Sequence, residues 1–176
     1  MKKTYVFEIE GYTPIIMEKF TGQKPKNLPP EEEAELKAYR LPNGNLAVPS
    51  EWIRGALINE FVSRVSKGKF MEKLRVAPRI IVQPQLIDLG IKDYEVFTRS
   101  VPAGSPYRGG TRKFCSSPLI RKWRVKAKLI TTLPESAEEI RNVLAAAGEN
   151  FGIGGFRVGG YGRFKVISFM EETEEC

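Results

Sequence analysis

The spacing of apolar residues passes twice through the same cycle along this chain: every second residue, then every third or fourth, then every second again. Tyr5, Phe7 and Ile9 alternate with Thr4, Val6, Glu8 and Glu10, a strand pattern ended by Gly11 and Pro14, with Ile15-Ile16-Met17 as a short extension. Ile53, Leu57, Phe61 and Val65 then recur at i+4, which predicts a helix of about fifteen residues, N-capped by Ser50 and closed at Lys67-Gly68. Ile80, Val82, Leu86 and Ile87 read as strand despite Pro84, and residues 96–101 as a weaker strand. Trp123, Val125, Ala127 and Leu129 alternate with Arg124, Lys126 and Lys128, giving a half-buried strand with Trp123 on its apolar side. A second helix opens on the capping box of Ser136 and Glu139, carries Ile140, Val143, Leu144 and Ala147 on one face, and stops at Gly148. Residues 163–170 form the last strand.

Strand, helix, strands, strand, helix, strand is the order β-α-β-β-α-β, an α+β chain with the ferredoxin-like or RNA-recognition-like arrangement. A length of 176 residues suits a single domain over 1–176, and 41% apolar residues suffice for a core. Two segments hang on this frame. Residues 21–49 hold Pro25, Pro29, Pro30, Pro42 and Pro49, and read as an insertion with one short helix after Pro30. The acids Glu31, Glu32, Glu33 and Glu35 fit the first turn of that helix. Residues 102–118, rich in Gly, Pro, Ser and basic side chains, read as a long basic loop, and the acidic tail 171–176 as frayed.

The chain contains no histidine. That excludes Ser-His-Asp and Cys-His catalysis, His-ligated zinc and an imidazole acid–base pair. Only two aspartates occur, Asp88 and Asp93, so no carboxylate metal site is expected, and no cofactor. Cys115 and Cys176 are not expected to pair. The residues after Met1 lack the apolar run of a leader, and no run approaches the roughly 18 residues of a bilayer span. A soluble, cytoplasmic protein without membrane contact is expected, a binder before an enzyme.

Glycines stand at 148, 152, 154, 155, 159, 160 and 162, interleaved with Phe156, Arg157, Tyr161 and Arg163. A phosphate loop or dinucleotide loop needs a strand before it and a helix after it, and the order here is the reverse. Two readings stay open. One is a structural turn; the other is a nucleic-acid contact, in which glycine backbone approaches a partner while rings and guanidinium groups supply stacking and charge.

The form Gly152-Ile153-Gly154-Gly155-Phe156-Arg157-Val158-Gly159-Gly160-Tyr161-Gly162-Arg163, after a helix and before a last strand, resembles the C-terminal signature of the CRISPR-associated RAMP superfamily. Leu46-Ala47-Val48-Pro49-Ser50-Glu51-Trp52-Ile53-Arg54-Gly55-Ala56-Leu57 is similar to that family's segment at its first helix. The resemblance implies RNA binding on a ferredoxin-like domain, commonly as one subunit of a guide-RNA complex. It implies RNA contacts at Gly154, Gly155, Arg157, Gly159, Gly160, Tyr161 and Arg163. It carries no catalytic residue across: the histidine of the RNA-processing members is missing, and no aspartate precedes the first helix.

Charge points the same way. The formal net charge is +7, and between Glu95 and Glu135 there is no acid but nine bases: Arg99, Arg108, Arg112, Lys113, Arg121, Lys122, Arg124, Lys126 and Lys128. Such a run marks a polyanion surface, and Tyr107 and Phe114 add rings for stacking. Tyr107, Arg108, Arg112, Lys113, Arg121 and Lys122 are therefore further candidate RNA contacts. A lesser basic group, Arg54, Arg64, Lys67, Lys69, Lys73 and Arg75, surrounds the first helix. The expected function is single-stranded RNA binding without turnover, with other subunits of a ribonucleoprotein as partners. Two rivals are a metal-independent ribonuclease using Tyr107, Arg112 and Lys113, and a mobile-element protein that binds single-stranded DNA.

Overall fold

The computed structural model describes residues 1–22, 27–102 and 110–172, and Tyr107 and Arg108 lie outside that set. The frame is a four-stranded antiparallel sheet built from β1 (Lys3–Gly11), β4 (Ile80–Gln83), β8 (Arg124–Thr131) and β9 (Phe164–Glu171), in the order β4-β8-β1-β9. Two helices, α2 (Ser50–Ser63) and α4 (Ala137–Asn150), connect β1 to β4 and β8 to β9. With the two central strands being the first and third of the frame, this is the ferredoxin-like topology.

Alternation decides which face is buried. Tyr5, Phe7, Ile9, Val125, Ala127 and Leu129 are almost wholly buried and pack with Ile53, Leu57, Ile140, Val143, Leu144 and Phe164. Opposite residues of β1 and β8 put Glu8 beside Lys126 and Glu10 beside Arg124 on the other face. Trp123 is buried, and its indole N–H donates to the Thr13 carbonyl at 2.9 Å. The capping box forms as the sequence predicts: the Glu139 amide donates to Ser136 Oγ, and the Ser136 amide to the Glu139 carboxylate.

Leu86 and Ile87 fall in a strand and sheet separate from Ile80 and Val82, and Glu171 pairs with Tyr5 instead of fraying; four further details differ from the sequence reading. Ser50 is the first helical residue and is buried; Pro49 precedes it, and no side chain caps α2. Pro49 holds the N-cap position and has no side-chain oxygen to accept from the first amides, so the helix starts without a side-chain cap. The first helix ends at Ser63, and Gly68, with φ of 71°, starts a separate helix α3 (Lys69–Val76) rather than closing the first. Gly148 lies inside α4 and does not stop it: a Cβ there would strike the Phe164 carbonyl, so the glycine lets α4 settle onto β9.

The fourth difference is the largest. Among the described residues, the second half of the expected basic loop 102–118 is strand: β7 (Arg112–Ile120) pairs antiparallel with β6 (Glu95–Pro102) and with β2 (Ile15–Ile16) in a second, three-stranded sheet. Ile15-Ile16 thus serves this sheet instead of extending β1. Ser116 and Ser117 hid the strand because they break apolar alternation, yet both are buried. Their hydroxyls are satisfied, by Thr98 Oγ1 at 2.8 Å and by the Glu18 carboxylate at 2.8 Å. The expected short helix after Pro30 is α1 (Pro30–Leu36), which clamps this sheet: Glu33 accepts from the Ser116 amide, and Lys37 donates to the Ser116 carbonyl, Glu33 and Cys115 Sγ. A short pair, β3 (Ala47–Pro49) with β5 (Leu86–Asp88), completes the described structure.

Candidate nucleic-acid interface

The glycine-rich segment leaves α4 at Asn150 and folds back to β9 through hydrogen bonds of its own amides. Gly155 donates to the Ile16 carbonyl at 2.8 Å and Gly162 to the Pro14 carbonyl at 2.8 Å, while Ile153 donates to Gly162. Gly159 and Gly160 close a 3₁₀ turn over residues 157–159 by donating to Phe156 and Arg157. Two glycines are demanded by space as well as by dihedral. At Gly162, φ of 74°, a Cβ would collide with the Ile153 carbonyl; at Gly154, φ of 88°, it would sit 2.7 Å from the Ile16 carbonyl. The glycines thus bind the loop to the fold, and the amides of Gly155, Gly159 and Gly160 are engaged inside it. What the turn displays outward is side chain.

Its rings face inward to the second sheet. Tyr161 sits between Phe97 and Phe156, at centroid distances of 5.6 and 5.7 Å, and the Arg99 guanidinium lies 4.4 Å over the Phe156 ring. Arg99 also donates to Glu18 at 2.9 Å. Tyr161 and Arg99 are therefore structural partners of the loop, with Tyr161 half-buried.

Its guanidinium groups face α2. Arg157 is exposed, and among the described residues its guanidinium makes no hydrogen bond or ion pair. Arg163 Nη2 makes one long contact, 3.5 Å to the Arg157 carbonyl, and Arg163 Nη1 is buried without a partner. A guanidinium with unspent donors in a recess suits an anion. The recess, about 530 Å³, is lined by Asn59, Asn150, Phe151, Arg157, Val158 and Arg163. It continues along α2 past Trp52, Gly55 and Gly154, with Asn59 and Arg157 common to both parts. The helix segment around Gly55 and the glycine-rich segment, about one hundred residues apart in sequence, meet here.

Two residues of this groove, and a buried carboxylate behind it, escaped the sequence reading. Asn59, Asn150 and the buried Glu60 carry no motif, and only the crossing of α2 and α4 puts Asn59 and Asn150 beside the arginines and Glu60 beside Asn150. Glu60 accepts from Arg64 Nε at 3.0 Å and from Asn150 Nδ2 at 2.9 Å, so its buried charge is compensated.

The remaining bases are scattered over several surfaces. Arg112 donates to the Ser100 hydroxyl and carbonyl, next to exposed Lys113 and Phe114 on the outer end of β7. Arg121, paired with Glu95 at 2.6 Å, and exposed Lys122 occupy the turn between β7 and β8. Arg124 binds Glu8 and Glu10, which hold its guanidinium protonated, with the Glu10 hydrogen bond the largest cause; Lys128 binds Glu172. Around the first helix, Arg54 is tied to the Ile80 and Ala77 carbonyls and Arg75 to Glu72 and Glu135. Acids distant in sequence neutralise much of the basic run. Among the described residues no cluster of three or more Cys, Asp or Glu could hold a metal ion, and no helix is long and apolar enough to cross a membrane.

An α+β domain of ferredoxin-like topology, carrying a second sheet and a cationic groove between its first long helix and its last loop, is what these observations define. No protein-family model and no curated protein sequence matches the chain. Its fold does match a solved structure. A chain in the cryo-EM structure of the Type III-B Cmr-beta bound to cognate target RNA superimposes with a TM-score of 0.63 at 10% identity. The match covers 97% of this chain and 60% of that one, so this chain spans less than two thirds of its structural neighbour. At that identity the likeness is one of fold.

Proposed function

We propose that this protein binds single-stranded RNA in the groove between α2 and the glycine-rich loop, as a non-catalytic, RAMP-like subunit of a CRISPR-type guide-RNA complex. The observation that carries the reading is Arg163, whose buried Nη1 is unpartnered beside Arg157 in a groove open to a chain-like ligand. Supporting it are the fold shared with a chain of an RNA-bound Type III-B assembly and the meeting of both family-like segments at one place. The two arginines would each hold a phosphate, and the loop's inward hydrogen bonds would keep them in place before the ligand arrives. Lys113 and Phe114 on the β7 end, and Lys122 at the β7–β8 turn, would extend the contact beyond the groove.

Fluorescence anisotropy with labelled single-stranded RNA, duplex RNA and single-stranded DNA tests the reading. Single-stranded RNA should bind in competition with unlabelled RNA of the same length. Absence of binding at low salt contradicts the proposal.

A further inference from the structure

The groove holds one feature that a site for anions alone does not need. Asn150, at the C-terminal end of α4, has its amide nitrogen turned toward Glu60: one N–H of Nδ2 donates to Glu60 Oε2 at 2.9 Å. Glu60 is 4% exposed and fixed from its other oxygen by Arg64 Nε. A buried carboxylate accepts and cannot donate, so the Asn150 amide is held one way round and Oδ1 faces away from Glu60 as an acceptor. Asn150 lines the same recess as Arg157 and Arg163.

A phosphate gains nothing from an added acceptor. A ligand that presents a hydrogen-bond donor close to its phosphate does, and in every ribonucleotide the 2′-hydroxyl is such a donor, at a spacing that does not vary with the base. Base amino groups also donate, but their position changes with sequence.

Resting on the RNA-binding reading above, we infer that Asn150, oriented by Glu60, is a specificity-determining residue: its Oδ1 accepts from a ribose 2′-hydroxyl and makes the groove favour RNA over DNA. Glu60, buried and outside the lining of the recess, is then a positioning residue.

The test compares one base sequence as RNA, DNA and 2′-O-methyl RNA, plus RNA homopolymers, on the full chain. The parent should bind RNA about fivefold more tightly than DNA or 2′-O-methyl RNA, as loss of one neutral hydrogen bond predicts. It should show no matching preference among homopolymers. Asn150→Ala should lower RNA affinity to the DNA level and leave DNA affinity unchanged. Glu60→Gln, whose amide accepts either orientation of Asn150, should narrow the RNA-to-DNA ratio with the arginines intact. Thermal melting checks each variant, and the ratio is a readout that a purely structural role leaves unmoved. Equal affinity of the parent for RNA and DNA overturns the inference, as does an equal loss on both ligands in Asn150→Ala. A homopolymer preference removed by Asn150→Ala would assign the acceptor to a base and overturn it too. Binding that ignores Arg157→Ala and Arg163→Ala would instead overturn the RNA-groove reading beneath it.

Discussion

The guanidinium of Arg99 lies 4.4 Å from the centroid of the Phe156 ring, tying β6 of the second sheet to the glycine-rich loop. Arg99 is held on its other side by Glu18, so the stacked pair ends a chain of contacts from the insertion side of the fold to the glycine-rich loop. Phe156 keeps a left-handed backbone, φ of 49°, which an aromatic residue adopts only where its ring contacts compensate. Phe156→Ala should lower stability by about 1–2 kcal/mol, from lost cation–π and ring packing at a partly exposed site. Thermal denaturation measures this. An unchanged melting temperature would show that the loop does not depend on the pair.

Where pattern and burial coincide, the fold was legible in the sequence. Tyr5, Phe7 and Ile9, the alternation through Leu129, and the Ser136–Glu139 box each depend on near neighbours in the chain, so local spacing suffices. β7 was not legible, because Ser116 and Ser117 are buried by partners on β6 and near Glu18 that local spacing cannot supply. The same limit governs the site. The loop arginines stood out in the sequence, whereas Asn59, Glu60 and Asn150 acquire meaning only where α2 crosses α4. Counting charges overstated the basic surface, since Glu8, Glu10, Glu95 and Glu172 return to neutralise Arg124, Arg121 and Lys128.

Glycine positions in the loop should rank by space, not by sequence motif. Gly160, φ of 86°, has open space where a Cβ would stand, so Gly160→Ala should cost only the left-handed backbone penalty, about 1–2 kcal/mol. Gly162→Ala adds a collision with the Ile153 carbonyl and should cost several kcal/mol, of order 3 or more. Melting temperatures in the opposite order would contradict the packing described for the loop.

The α1 clamp should weaken in acid. Burial raises the Glu33 carboxyl, but the Lys37 hydrogen bond and the Ser116 amide outweigh it and leave it below its ordinary 4.5; Arg40 chiefly lowers Glu35. Both carboxyls are depressed in the folded state, so their contribution is complete above 4.5 and is lost as the pH falls through the lower folded values. The melting temperature of the parent should fall between about pH 5 and about pH 3, and Glu33→Gln should start lower and fall less. Parallel curves for the two proteins would show that Glu33 contributes no linkage.

Purified protein should leave RNA intact with or without magnesium or manganese. The absence of histidine and the separation of Asp88 and Asp93 from the groove motivate this. Reproducible cleavage abolished by Lys113→Ala or Tyr107→Phe, and indifferent to chelator, would make the protein a ribonuclease.

The salt dependence of RNA binding in Arg157→Ala and Arg163→Ala tests the central claim most directly. Neither guanidinium makes a strong contact within the fold, so both variants should melt close to the parent. Each should bind single-stranded RNA more weakly, with the slope of log affinity against log salt reduced in magnitude by about one unit per lost phosphate contact. Affinity and slope equal to the parent's in both variants would contradict the account and leave the glycine-rich segment a structural turn.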